Sequence, residues 1–128
     1  MTELNSAHNR VVWCDIPVAD LDRACAFYRG VLAIDVDKMA FDDMTFALLA
    51  HDQGNGGCLV PQPDYAGCTS GPLVYMNVDG RIRDAVAQVE KLAGRVVEPI
   101  RPIGPHGQRA IVLDSEGNRI ALHSTVDA

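Results

Sequence analysis

Apolar positions along this chain switch between two periods. Residues 11–18 (VVWCDIPV) are rich in β-branched residues and predict a strand. From Leu21 the period lengthens. Leu21, Ala24, Cys25, Tyr28 and Leu32 recur three and four apart, which puts them on one helical face, and Asp20 stands at the N-cap position. Gly30 inside the pattern blurs where the helix stops. Short apolar runs follow at 34–39, 45–50 and 57–60, separated by Asp42-Asp43 and the polar cluster 52–57, which read as turns.

The second half repeats this order. Residues 72–78 (PLVYMNV) predict a strand, with Asp79 in the cap position. Ile82, Ala85, Val86, Val89, Leu92 and Ala93 then form a second amphipathic helix, with Gly94 at its C′ position. Runs at 96–103, 108–113 and 119–124 are divided by turns at 104–107 and 115–118. Pro, Gly, Asp and Ser concentrate in a linker, 61–71. The pattern is βαβββ twice: module one spans about 11–60 and module two about 72–124. A half of this size cannot cover its own sheet face, so the two are expected to share a core or cleft in one α+β domain, 1–128. A plain α+β sandwich fits the periodicity but leaves the duplication unexplained. The strand-rich order argues against a doubly wound parallel sheet.

Composition narrows the partners. Against 11 Lys and Arg stand 17 Asp and Glu, a net charge of −6, which disfavours nucleic acid and anionic membranes. Aromatics at 5% leave few stacking platforms for single strands. A cationic or uncharged small molecule suits the charge better. Cys14, Cys25, Cys58 and Cys68 form no CxxC pair and read as reduced, mostly buried thiols of a cytoplasmic protein. Residues 1–10 lack the pattern of a signal peptide. No apolar run approaches the length that crossing a bilayer takes, so no membrane span is expected.

Two segments carry a resemblance. Residues 16–28 (IPVADLDRACAFY) are close to a "D-L-x-R-A" and "F-Y" helix opening, and 113–122 (LDSEGNRIAL) to a "D-P-x-G-N" turn before a last strand. Both resemble the vicinal oxygen chelate superfamily of glyoxalase I, bleomycin-resistance proteins, fosfomycin-resistance enzymes and extradiol dioxygenases, over nearly all of 11–124. The run 102–107 and the ending Leu122-His-Ser124 resemble its glyoxalase-like subgroup. The resemblance implies two curled four-stranded modules around a cleft, and a homodimer. It leaves activity open, because this fold hosts lyases, isomerases, thiol transferases, dioxygenases and plain binders.

The resemblance implies that metal-dependent members place His, Glu or Gln at four positions, one in the first and one in the last strand of each module. Carried onto this chain, three of these positions hold Trp13, Leu73 and Ala121, none of which coordinates a metal. The fourth falls within 57–60, where Cys58 is the one conceivable donor. His8, His51, His106 and His123 show no paired spacing. No metal centre and no cofactor are therefore expected.

Period-two alternation from the ligand positions puts Trp13, Asp15 and Pro17, then Leu73, Tyr75 and Asn77, then Arg119, Ala121 and His123 in the cleft. Trp13, Asp15, Tyr75, Asn77, Arg119 and His123 are the candidate ligand-binding residues. Each also has a plainer role: Trp13 as core packing, Asp15 in an ion pair with Arg119, and Tyr75 and Asn77 bonded to each other. His123, Asp15 and Tyr75 are the candidate acid–base groups. His106 sits in a turn that is expected to fold over the cleft mouth, though polar turns without function are commoner. The leading expectation is a metal-independent small-molecule binder. The alternative is a lyase or isomerase, related to lactoylglutathione lyase, acting on a small oxygenated metabolite. A third reading is a vestigial pocket on a protein that works through its surface.

Overall fold

A computed structural model describes residues 10–128; the segment 1–9, with His8 and most of the stretch read for a signal peptide, lies outside the described residues. The first module runs β1 (Cys14–Val18), α1 (Leu21–Leu32), β2 (Val36–Phe41), β3 (Met44–Leu49) and β4 (Gly57–Pro61). The second runs β5 (Val74–Asn77), α2 (Ile82–Lys91), β6 (Arg95–Pro102), a 3₁₀ turn (Gly104–His106), β7 (Gln108–Leu113) and β8 (Arg119–Ser124). Strand order is β1-β4-β3-β2 in one sheet and β5-β8-β7-β6 in the other. In each, the first and last strands of the module pair in parallel and the remaining pairs are antiparallel. The duplication is thus a repeated topology in an α+β fold. The first strand begins at Cys14, so Trp13 precedes it.

The Asp20 carboxylate accepts from the Arg23 N–H at 3.1 Å, and α1 runs through Gly30 to end at Ala33, which is left-handed at φ 55°. A Cβ on Gly30 would lie 2.2 Å from Leu92 Cδ1, so that glycine marks where α1 meets the end of α2. Two expectations for α2 are corrected. Its N-cap is Arg81 with no side-chain cap, because Asp79 turns instead to Thr125, whose N–H and Oγ1 both donate to it. Its left-handed residue is Ala93, at φ 72°, and not Gly94. Gly94 closes the helix by donating its N–H to the Val89 carbonyl at 2.8 Å, and a Cβ there would meet Leu113 O and Phe27 Cε2, each at 2.6 Å. Packing, not φ, requires that glycine.

One hydrophobic cluster joins the halves: Ile16, Phe27 and Val31 from the first module, Ile82, Val89 and Leu122 from the second. Alternation does the sorting. Ile16, Leu59 and Leu49 in one sheet, and Val112, Ile120 and Leu122 in the other, pack toward the helices, so each sheet's opposite face is helix-free. No described helix is long and apolar enough to cross a membrane.

The two resembling segments touch, and their contact locks the modules together. Asp114 accepts from the Tyr28 hydroxyl at 2.6 Å and from the backbone N–H groups of Glu116 and Asn118. Asn118 donates to the Pro17 carbonyl, while its Oδ1 accepts from the N–H of Gly67 and of Cys68. Glu116 accepts from the N–H groups of Ala19 and Asp20 at the start of α1 and from both Nε and Nη2 of Arg23. Burial pushes the Glu116 carboxyl upward, but these bonds outweigh it and bring the group from 4.5 down to about 2. Burial raises Asp114 against the pull of Tyr28 and Asn118, and Tyr28 itself lies well above the tyrosine range, chiefly through burial. The turn that reads as mere punctuation in sequence is the joint of the molecule.

Candidate functional site

Register across the helix-free faces decides which side chains meet. In the first sheet, Asp15, Cys58, Leu48 and Asp37 stand in one cross-strand row. In the second, Asn77, His123, Arg109 and Arg101 form the matching row, and Tyr75, Ala121, Ile111 and Glu98 the next. One face is acidic and apolar, the other basic.

The expected pairings are rearranged. Asp15 is exposed and accepts from Cys58 Sγ at 3.2 Å, not from Arg119. That buried thiol is pushed up to about 11, mainly by desolvation, which keeps it protonated and a poor nucleophile or metal ligand. Burial also raises the half-buried Cys14 thiol. All four cysteines are free; Cys25 and Cys58 are buried and Cys68 is exposed. Tyr75 and Asn77 do not bond each other. The Tyr75 oxygen accepts from Arg109 Nη1 at 2.7 Å, and Asn77 Oδ1 accepts from the Asp79 N–H at 2.9 Å. His123 Nε2 donates to the His106 carbonyl at 2.7 Å, so the 104–107 turn is tied to β8.

Two cavities flank Tyr75. The larger, about 470 Å³, lies in the seam where the free edges of β1 and β5 face each other, with the 50–57 loop as one wall. Trp13, Tyr75 and Asn77 line it, over an apolar floor of Ile16, Leu32 and Met76. Trp13 is half-buried outside the central core and meets the His51 ring edge-on, with centroids 5.6 Å apart. The smaller cavity, about 370 Å³, is lined by Tyr75, Asn77 and His123 together with Asp79 and Thr125. Asp15, Pro17, Leu73, Arg119, Ala121 and His106 line neither of these two. Arg109, absent from the sequence candidates, belongs with Tyr75 and His123. Its guanidinium carbon is 6.0 Å from the Tyr75 ring centroid. Extending the same alternation to β7, as 109, 111 and 113, is the signal that finds it.

A family model described as the Glyoxalase/Bleomycin resistance protein/Dioxygenase superfamily matches residues 10–122. The chain belongs to that superfamily. No curated protein matches the sequence significantly. Among solved structures, the hypothetical protein SA1046 from S. aureus superposes with a TM-score of 0.69 at 15% identity, covering 92% of this chain and 99% of that one. A glyoxalase-related enzyme from Fulvimarina pelagi gives 0.68 at 12%, covering 91% and 88%. The fosfomycin resistance protein FosX from Listeria monocytogenes gives 0.67 at 13%, covering 91% and 93%. At these identities the likeness carries the fold alone.

For this glyoxalase-superfamily chain, the metal positions are a matter of donor chemistry. Trp13, Leu73 and Ala121 bring no donor, Ala121 is fully buried, and the thiol of Cys58 is engaged by Asp15. Among the described residues no group of three or more His, Cys, Asp or Glu side chains is placed to hold an ion. The residues present do not fit the divalent metal of the metal-dependent members.

Proposed function

We propose that this protein binds a small molecule in the seam between β1 and β5 and does so without a divalent metal. The observation that carries the reading is Trp13. It stands where metal-dependent members put a ligand, and it walls a cavity of about 470 Å³ whose floor is apolar. That size and lining suit a small organic ligand held by burial and stacking with a few polar contacts. The test is a titration with N-phenyl-1-naphthylamine, an uncharged fluorophore, in excess chelator. Saturable binding with quenching of Trp13 emission, and no stoichiometric metal on elemental analysis, is the expected result. About one bound metal per dialysed chain, or no response from Trp13, overturns it.

A lyase or isomerase acting on a small oxygenated metabolite is the second reading. It is favoured by Tyr75 and His123, whose rings stand 6.3 Å apart beside one cavity, a spacing that lets both address one ligand. Asp15, on the other sheet and outside both cavities, is the weakest of the acid–base candidates. A homodimer belongs to the same proposal, supported by the apolar hairpin of β2 and β3, where Phe41 is 67% exposed.

A further inference from the structure

We propose that the helix-free face of the second sheet is an oxyanion site, which receives the carboxylate or phosphate-type group of a small organic ligand. The proposal rests on the small-molecule reading above and names the ligand class. It reverses the expectation drawn from net charge: a chain of net −6 concentrates cations on this face.

The cross-strand row Asn77–His123–Arg109–Arg101 carries two guanidinium groups and an imidazole. Arg101 has Glu98 at 3.5 Å, whereas Arg109 is in none of the ion pairs among the described residues. Arg109 lines neither cavity, and its Nε is buried from solvent with no hydrogen-bond partner, so a ligand on this face meets the guanidinium only through its Nη atoms. Its neighbour in the next row is Ala121, a fully buried methyl at the position where metal-dependent members have a His, Glu or Gln ligand. No carboxylate therefore neutralises Arg109 from that side.

The hydrogen bonds already made consume acceptors and leave donors. The Tyr75 oxygen receives Arg109 Nη1, so the phenolic proton remains to be given. Asn77 Oδ1 is taken by the Asp79 N–H, which leaves its NH₂ group free. One acid does border the cavity. Asp79 lines it, and its Oδ1 accepts from Thr125 N, Thr125 Oγ1 and Ser124 Oγ, bonds that lower its pKa and keep it ionised. An oxyanion finds the Tyr75 O–H and the Asn77 NH₂ in the cavity, with the Arg109 guanidinium, bonded to Tyr75 through Nη1, supplying positive charge beside them. Tyr75 and Asn77 also line the seam cavity, so the apolar body of the same ligand reaches Trp13.

The test is a titration of the isotope-labelled protein with inorganic phosphate and, separately, with acetate, at low ionic strength, following the His123 ring and Tyr75 signals. Saturable shifts with one or both ions are expected, and the comparison tells phosphate-type from carboxylate recognition. Binding should weaken at least tenfold in Arg109→Gln and be unchanged in Arg83→Gln, whose arginine pairs with Asp127 elsewhere. Should Arg109→Gln fail to fold, Tyr75→Phe serves, with an expected loss of about threefold to tenfold. Absence of saturable shifts, or equal binding in all variants, overturns the proposal. If N-phenyl-1-naphthylamine still binds while both ions fail, the oxyanion site falls and the seam reading stands. Ion binding without fluorophore binding gives the converse.

Discussion

At the scale of single residues, Glu116 and Trp13 bring opposite kinds of evidence. Glu116 is 8% exposed, yet it is ionised because the start of α1 and Arg23 supply its donors. Its folded value of about 2 lies below the 4.5 of the free group, so the protein gains stability from it above pH 4.5 and loses that gain as pH falls toward 2. Glu116→Gln should cost about 2–3 kcal/mol at neutral pH, the scale of hydrogen bonds to a charged group. It should also flatten the acid limb between those two values in urea unfolding followed against pH. An unchanged acid limb would place the acid sensitivity elsewhere. Trp13 predicts a different signature. Trp13→Ala should weaken fluorophore binding by roughly 1–3 kcal/mol through lost stacking and burial. It should destabilise the chain by less than the about 3–5 kcal/mol of a core Trp→Ala, because the side chain stands outside the central cluster. A large stability loss with unaltered binding would make Trp13 a core residue.

At the scale of elements, two glycines that look alike in sequence make opposite predictions. Gly30→Ala adds a methyl against the mobile tip of Leu92 and gains about 1 kcal/mol of helix propensity, so it should come out near neutral. Gly94→Ala drives its methyl into the Leu113 carbonyl, which is backbone, and into the Phe27 ring, and should cost at least about 1–3 kcal/mol. Denaturant midpoints of the two variants check the contrast. What the sequence discloses follows the same division between local and distant causes. Among the described residues, periodicity locates both helices and all eight strands, because alternation and the 3.6 repeat are local properties; the run 119–124 coincides with β8. The alternation also places Trp13, Tyr75 and Asn77 around one cavity. Partnerships were not legible. Asp15 met Cys58 and not Arg119, Asp79 met Thr125 and not a helix, and Glu116 reached α1 across 96 positions of chain. Each depends on how the modules dock, and docking leaves no period in the sequence. Arg109 is intermediate: alternation assigns its face, but only register sets it opposite His123.

At the scale of the whole molecule, the two modules need each other, and the first one exposes a group of large apolar side chains on its β2–β3 hairpin. Met39, Phe41 and Met44 are 45%, 67% and 53% exposed, and pairing of Phe41 with Met44 and of Met39 with Phe46 puts all four on the helix-free face of the β2–β3 hairpin. Strand β2 is also an edge of its sheet, with an unpaired backbone row beside that patch. Apolar side chains clustered at an edge mark a contact surface, and a second copy of the chain is the occupant proposed above. Sedimentation at micromolar concentration should therefore give a particle of twice the mass of one chain. The double variant Phe41→Glu, Met44→Lys should sediment as a single chain with little change in unfolding midpoint, since neither side chain belongs to the core. Seam-cavity binding distinguishes how far assembly and function are joined. If the second copy only covers the hairpin, the monomeric variant should bind N-phenyl-1-naphthylamine as the parent does. If it also completes the cleft, affinity should fall with dilution through the dimer's dissociation range, because a ligand that prefers the dimer stabilises it by mass action. A parent protein that sediments as a single chain throughout would refute the dimer and leave the hairpin patch without its proposed occupant.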